Sequence, residues 1–451
     1  NISGLSGYDG TGWRLISYLG RLNYNYDSKY YFGASARVDG SSRLHRDSRW
    51  GTFWSVSGAW RISSEKFMKP IEHILSDARL RVSYGSNGTL PSDYYGYMNL
   101  VSFGYKYMEK PGMLESQLGN TDLKWEKNYN LNIGFDFRLF NWVGGTIEVY
   151  DRKTSDLLME MPLSRTTGFS TIWDNVGRMN NRGIEVELNA DIIRTKNFSW
   201  NSSINLSHNK NKIVSLGGQE EIIGSYTIRK VGQPYYRYYV KEFAGINPDN
   251  GYPTYYCNGQ GGVDRDEEGN RITTENSSEA ADVIFKGPDP KLTGGWANSF
   301  KYRWFDLNFN WTFSLGGYSY DNGASKLEHA GKSEKGAIQT LYRDRWRKPG
   351  DKTNIEMFMV GNSYDMSSVY NSRRIHSSDH LRLKNLTFGI TLPKQLVQKA
   401  YLQNVRFYFS GSNLLTFAEY DRYDPEIPMN GIYYFEAPKM KTYTFGIDIK
   451  F

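Results

Sequence analysis

The sequence predicts an all-β chain, an antiparallel transmembrane β-barrel. Three observations carry that expectation. Apolar and polar residues alternate with period two over long runs. The connections between those runs alternate short and long. A polar average composition is combined with an unusual load of aromatic side chains.

The first observation is the strand period itself. Between Asn128 and Leu139, Tyr129, Leu131, Ile133, Phe135, Phe137 and Leu139 share one face, and Asn128, Asn130, Asn132, Gly134, Asp136 and Arg138 share the other. Phe305, Leu307, Phe309, Trp311 and Phe313 alternate in the same way with Asp306, Asn308, Asn310, Thr312 and Ser314. Ile184 to Ile192 and Tyr30 to Asp39 repeat the pattern. Strands of a small soluble sandwich average about 5–6 residues. These runs reach roughly 9–12, the length at which a tilted strand crosses a bilayer. The reading gives thirteen strands, at 14–26, 29–39, 51–64, 78–86, 127–140, 144–156, 182–194, 197–212, 291–303, 304–317, 380–392, 403–416 and 442–451. Leu381 and Leu383 are out of phase with Leu386, Phe388 and Ile390, which predicts a bulge near Lys384–Asn385.

The second observation gives the strands a direction. Short connections fall at 27–28, 65–77, 141–143, 195–196, 303–304 and 393–402, and long ones at 40–50, 87–126, 157–181, 213–290, 318–379 and 417–441. Outer-membrane barrels have short periplasmic turns and longer outer loops. The first and last strands then both run toward the periplasm. An even-stranded barrel with periplasmic termini would lack an odd number of strands here, so the chain is expected to be a fragment opening in the Gly/Ser-rich stretch Asn1 to Gly12. Short helices are expected at Pro70–Asp77 and Lys394–Tyr401, and another at Gln339–Lys348 within a long loop.

The third observation is compositional. Across 451 residues there are 35 Tyr, 12 Trp and 23 Phe, yet mean hydropathy is −0.62. No run approaches the roughly 20 apolar residues of a membrane helix. A disordered chain would lack the aromatics. Composition alone leaves a soluble, carbohydrate-stacking β-protein open. The net charge of +7 arises from 55 basic and 48 acidic residues without basic clusters, so no nucleic-acid footprint is expected. The single cysteine, Cys257, excludes an internal disulfide and has no nearby His to make it a nucleophile.

Several segments resemble the SusC/RagA family of TonB-dependent outer-membrane transporters. They are Tyr18 to Asp27 with Lys29 to Ser42, Trp50 to Ile62, Pro290 to Gly295 ahead of Phe305 to Leu307, Leu381 to Gly389 with Leu392–Pro393, Ser410 to Phe417, and Tyr423-Asp-Pro-Glu426. The alternation of Tyr443, Phe445, Ile447, Ile449 and Phe451 ends on an aromatic, which resembles the outer-membrane assembly signal. The resemblance implies a plugged barrel of about 22 strands. Residues 1–451 would supply the C-terminal part of it, with the plug and early strands outside this chain. It further implies import of oligosaccharides or oligopeptides driven through TonB, with a SusD-like surface lipoprotein. Outer-membrane lipids are the remaining expected partner.

Candidate site residues follow from chemistry and position. Tyr94, Tyr95 and Tyr97, with Tyr105 and Tyr107, cluster in one outer loop, and Trp173, Asp174 and Asn175 in the next. Flat rings beside amides and acids suit sugar stacking; loop self-packing or a membrane girdle is the plainer reading. Tyr235, Tyr236, Tyr238 and Tyr239 in the longest loop are expected to touch the lipoprotein partner. Asp264, Asp266, Glu268 and Glu275, with Gly269 at the sharp turn, have the spacing of a calcium loop, against which stands a solvated hairpin tip. His376 and His380 would pair on a metal only if helical, and they directly precede a strand. The Gly259–Gly262 run lacks a phosphate-loop Lys and reads as linker. The expected function is outer-membrane import of nutrient oligomers, oligosaccharides first and oligopeptides second, without enzymatic chemistry or a required cofactor. A passive porin, a barrel enzyme and a soluble glycan-binding protein are the other classes weighed.

Overall fold

A computed structural model describes residues 12–259, 262–333, 341–361 and 366–451. Thirteen long strands dominate it: β1 Leu15–Tyr26, β2 Tyr30–Ser41, β3 Trp50–Arg61, β4 Leu75–Thr89, β5 Glu126–Leu139, β6 Val143–Pro162, β7 Thr171–Arg194, β8 Phe198–Leu216, β9 Leu292–Tyr302, β10 Phe305–Leu315, β11 His380–Thr391, β12 Asn404–Ala418 and β13 Thr442–Lys450. Their order in the sheet is their order in the chain, so each strand pairs with its sequence neighbours. The chain forms two compact units, one of Asn1–Val186, Lys210–Ile222 and Lys230–Gly232, the other of Glu187–Asn209, Ile223–Arg229 and Gln233–Phe451.

In the first unit the register aligns like with like. Val56 faces Tyr84, Tyr84 faces Leu131, and Val82 faces Ile133, which faces Val149. All of these side chains remain more than a third exposed. A continuous apolar face left uncovered is the surface that lipid covers. The opposite face is polar and cross-linked. Arg81 makes a two-pronged contact with Asp136, at 2.8 and 2.9 Å, and reaches Glu148 at 3.4 Å. Gly134 lies opposite both Arg81 and Glu148, so the strand between them carries no side chain to block the crossing.

The second unit repeats the device. Arg406 binds Asp306 at 2.7 and 3.2 Å across Gly389, which stands opposite Asp306. This unit has its own exposed apolar side chains, Phe305, Phe388 and Phe407, each more than a third open. In β13, Phe445 is 80% exposed, and Phe451 just beyond it is equally open.

Every expected strand is present, and the bulge lies where the phase slip put it, between Leu383 and Asn385. Several boundaries differ. β6 and β7 run well beyond 144–156 and 182–194, so the expected loop 157–181 shrinks to 163–170, closed by the Leu163 N–H on the Ser170 carbonyl at 2.9 Å. The ladder continues where Leu157-Leu-Met-Glu-Met161 no longer alternates, because backbone pairing does not require alternation. Trp173, Asp174 and Asn175 therefore sit on β7 and not in a loop. The expected helix Pro70–Asp77 is replaced by 3-10 turns at Ile62–Ser64 and Lys66–Ile71. Arg61 holds Asp77 at 3.0 Å, which draws that residue into β4. Of Gln339–Lys348, Leu341–Asp344 form a 3-10 turn, and Gln339 and Thr340 lie outside the described residues. Lys394–Val397 is helical as expected and runs on as a 3-10 turn at Gln398–Ala400.

The long connections are not plain loops. Arg237–Lys241 pairs with Thr227–Lys230 and Asp282–Phe285, and Phe243–Ile246 with Pro253–Tyr256. Tyr318–Asp321 pairs with Ile375–Ser377 and, in parallel, with Ile432–Tyr433.

The close approach of β3 and β4 needs Gly85, where an added Cβ would sit 2.7 Å from the Trp54 carbonyl oxygen and 2.8 Å from the Ser55 Cα. Gly85→Val is expected to destabilise the barrel by about 1–3 kcal/mol. Gly20→Ala, with nothing within 4 Å, serves as the control. Heat-modified mobility on SDS gels reads the effect as a lower unfolding temperature for Gly85→Val alone.

Candidate functional site

The outer-loop aromatics of the first unit form one assembly. Leu44, Phe53, Leu123 and Trp125 make a buried cluster, and Tyr97 and Trp173 pack against it. The Trp125 indole donates to the Arg49 carbonyl at 2.8 Å. Arg43 is clamped between two rings, 4.4 Å from Trp13 and 4.3 Å from Tyr94. Tyr95 is anchored by its backbone: its N–H donates to Asp93, and its carbonyl accepts from Gln117 at 3.1 Å.

Asp174 and Asn175 are equally committed. Asn120 donates to the Trp173 carbonyl at 2.9 Å and to Asp174 at 3.3 Å. Asn175 accepts from the Lys124 N–H at 2.9 Å and donates to the carbonyls of Lys124 and Asp156 at 3.0 and 2.8 Å. Tyr97 and Trp173 are thus brought together as packing, and Asn175 serves as a staple between segments. Tyr94 and Tyr95 remain half-exposed, their rings 6.4 Å apart. Tyr105 and Tyr107 stand exposed on a separate hairpin, Leu100–Tyr107 with Lys110–Gln117.

In the second unit the four expected partner-contact tyrosines separate. Tyr238 is 1% exposed, and its single hydroxyl proton is shared between the carbonyls of Tyr318 and Gly431, at 2.9 and 2.8 Å. Strand alternation puts Tyr238 and Val240 inside and leaves Tyr239 between them half-exposed, so Tyr238 is a core residue and not a surface contact. Burial pushes the Tyr238 phenol far above its ordinary range. Tyr235 and Tyr236 pack edge to face at 4.9 Å, with Arg229 over Tyr235.

Two acids of the expected calcium loop are engaged with other groups. Asp266 accepts the N–H groups of Glu268 and Asn270 at 3.0 and 2.8 Å, closing a tight hairpin tip. Glu275 turns away and accepts from Asn247 and Asn250 at 2.6 and 2.7 Å. Among the described residues no group of three or more His, Cys, Asp or Glu is placed to hold a metal. Of the expected linker run, Gln260 and Gly261 lie outside the described residues. His376 stacks on Tyr420 at 3.8 Å, while His380 bonds the Ser378 carbonyl from a different strand.

What sequence reasoning missed is an ion-pair system beneath these loops. Arg382, 3% exposed, pairs with Asp424 at 2.6 Å and Glu426 at 3.1 Å. Lys384, the bulged residue, reaches Glu426 at 2.9 Å, and Lys439 joins the same carboxylate. A second set centres on Asp321, whose side chain is fully buried. It accepts from Tyr420 at 2.7 Å and pairs with Arg422 at 3.2 Å, and Arg422 also binds Glu328 at 2.6 Å. Burial beside Asp321 pushes the Tyr423 phenol up to about 12. The signal was present: Arg382 and Lys384 share one face of β11, and Asp424 and Glu426 have the same spacing in the Tyr423–Glu426 turn.

A sheet with an exposed apolar face, a cross-linked polar face and structured outer loops is the architecture of an outer-membrane barrel transporter, and relatives agree. Residues 4–414 match the family described as TonB dependent receptor-like, beta-barrel. TonB-dependent receptor P3 of Formosa agariphila is 30% identical over 97% of this chain and 45% of its own length. TonB-dependent receptor SusC of Bacteroides thetaiotaomicron is 29% identical over 97% of this chain and 44% of its own. The solved RagAB peptide transporter superposes with a TM-score of 0.85 at 28% identity, over 97% of this chain and 48% of that one. The chain belongs to the TonB-dependent receptors of the outer membrane, a family of transporters and not of enzymes. Within them it is of the SusC/RagA type, and it spans about half the length of the relatives it matches.

The buried ion pairs and the stacked histidine are open to direct measurement. Arg382→Met leaves Asp424 buried without its partner, at a cost of about 3–5 kcal/mol. Limited proteolysis is expected to cut 419–441 faster in this variant, and Arg382→Met with Asp424→Leu to restore much of the protection. The histidine responds to pH. Burial lowers the His376 pKa, so unfolded chain binds its proton more readily than folded chain. The stabilisation is complete above the unfolded value of about 6.5 and is lost as pH falls below it. Protease protection of this loop should therefore decline from pH 7 to 5, and less steeply in His376→Phe.

Proposed function

We propose that the transporter containing this chain imports nutrient oligomers across the outer membrane, energised through TonB and working with a SusD-like surface lipoprotein. The observation that carries this reading is the joint likeness to SusC and to RagAB across nearly the whole chain. The barrel residues contribute binding and passage, with no bond made or broken.

Oligosaccharides are the first substrate class. Tyr94 and Tyr95 offer half-exposed rings beside Asp93, and aromatic faces with polar neighbours suit sugar rings. Oligopeptides are the second reading, favoured by RagAB, the relative described as a peptide transporter. Tyr235, Tyr236 and Tyr239 remain candidates for the lipoprotein contact, being half-exposed where Tyr238 is not.

Mass spectrometry of ligand retained in the complex purified from outer membranes separates the two classes. Tyr95→Ala is expected to weaken oligosaccharide binding roughly tenfold, as loss of one stacking face implies. Unchanged oligosaccharide affinity would turn the reading to peptides. Uptake that persists in cells lacking TonB would replace active import with a passive pore.

A further inference from the structure

Arg43 is a cation held in place without an anion. Its guanidinium lies between two rings, 4.4 Å from the centre of Trp13 and 4.3 Å from that of Tyr94. The backbone fixes this pairing. The Ser42 N–H donates to the Arg14 carbonyl at 3.0 Å, and Ser42 Oγ accepts the Arg14 N–H at 2.9 Å. These bonds continue the register of Leu15 opposite Ser41 and set Trp13 opposite Arg43.

Rings on both sides keep water off the faces of the guanidinium and leave only its edge for hydrogen bonds. At that edge Nη1 donates to the Pro91 carbonyl at 3.1 Å, Nε is buried without a partner, and Nη2 makes no bond among the described residues. The acids of these segments are engaged elsewhere. Asp47 pairs with His45 at 3.3 Å and with Arg46 at 3.5 Å, Asp39 pairs with Arg37 at 2.6 Å, and Asp93 accepts the Tyr95 N–H at 3.0 Å. Among the described residues no carboxylate pairs with Arg43. A fixed guanidinium with unused donors in its plane is suited to a carboxylate, which accepts parallel hydrogen bonds in that same plane.

A cavity of about 420 Å³ reaches this stack, since its lining includes Leu15, two positions from Trp13, and Leu90, next to Pro91. It opens on the polar face of the sheet. Arg37 stands opposite Phe53 and Ser35 opposite Ser55, and Ser55 stands opposite Gly85, which alternation puts on the face of Arg81. Arg37 and Asp39 cancel each other's charge there, and the hydroxyls of Ser35 and Ser55 lie 2.7 Å apart, two positions along β3 from Phe53. Hydroxyls beside a ring suit a sugar, and the volume is that of a small-ligand site. The connections that carry Arg43 and Tyr94 are long ones, which in an outer-membrane barrel face outward, where an imported molecule enters.

We propose that Arg43, held between Trp13 and Tyr94, selects oligosaccharides that carry a carboxylate. The guanidinium edge takes the carboxylate of a uronic acid, and the sugar extends toward the cavity beside Arg37 and Ser55. The inference rests on the oligosaccharide reading above and narrows it to acidic sugars.

The test uses the transporter purified from outer membranes. It is given equal amounts of uronate oligosaccharides from pectin, alginate and glucuronoxylan digests and of the same oligosaccharides after methyl esterification, with acidic oligopeptides alongside. Native mass spectrometry reads the retained ligand. Wild type should retain the charged sugars in preference to their uncharged esters. R43Q should lose that preference roughly tenfold while still retaining the esters, as loss of a charge-assisted hydrogen bond implies. R46Q, which removes the exposed neighbour paired with Asp47, should keep it. Heat-modified mobility shows whether the barrel has folded; if R43Q does not fold, R43K, which keeps the charge but loses the planar fork, carries the test with a smaller loss. Equal retention of both forms by wild type, or an unchanged preference in R43Q, overturns this inference and leaves oligosaccharide import standing. So does an R43Q that loses both forms alike, since the stack is then structural only. A wild type that retains acidic oligopeptides, or nothing, in place of oligosaccharides overturns the oligosaccharide reading as well.

Discussion

Everything in this protein depends on pairing the backbone where no water can pair it. In a bilayer each unpaired N–H or C=O is costly, and strands satisfy theirs only through neighbours. Neighbour-to-neighbour order along the chain meets that requirement with the shortest connections. Once the ladder is fixed, side chains divide by alternation, and the two faces acquire opposite chemistry. The same ladder explains why β6 and β7 extend past their alternating segments: pairing persists after the lipid pattern ends.

The polar face shows how a sheet holds long charged side chains without crowding. Arg81 and Arg406 each cross a strand at a glycine to reach acids beyond it. A side chain at Gly134 or Gly389 would meet the guanidinium within about 3 Å. The bulge in β11 has a related role. It frees Lys384 from the ladder and lets it share Glu426 with Arg382, tying the last outer loop to the sheet. That loop also carries Tyr433, whose hydroxyl bonds the Asp424 carbonyl, so turn, bulge and loop form one cross-linked piece.

The outer loops show why aromatic clusters are ambiguous in sequence. Tyr97, Trp173 and Tyr238 look like binding surfaces because their types suit ligands. They also suit the small cores that a long loop needs to hold a shape, and the structure uses them there. Tyr94 and Tyr95 stay available because Arg43 and the backbone bonds around Asp93 hold their segment at the surface.

The sequence by itself determined the strands, their alternation and the β11 bulge, because period-two patterning is a local property that any stretch of chain displays; the class of protein came instead from the segments that resemble known transporters. The sequence determined equally that Tyr443 to Ile449 would alternate as one strand. Only the tertiary structure decided which aromatics are core, that Asn175 is a staple, and that Arg382 meets Asp424. The staple and the ion pair join residues 19 to 51 positions apart. No local period encodes such a pairing; it depends on where the folded ladder delivers each side chain.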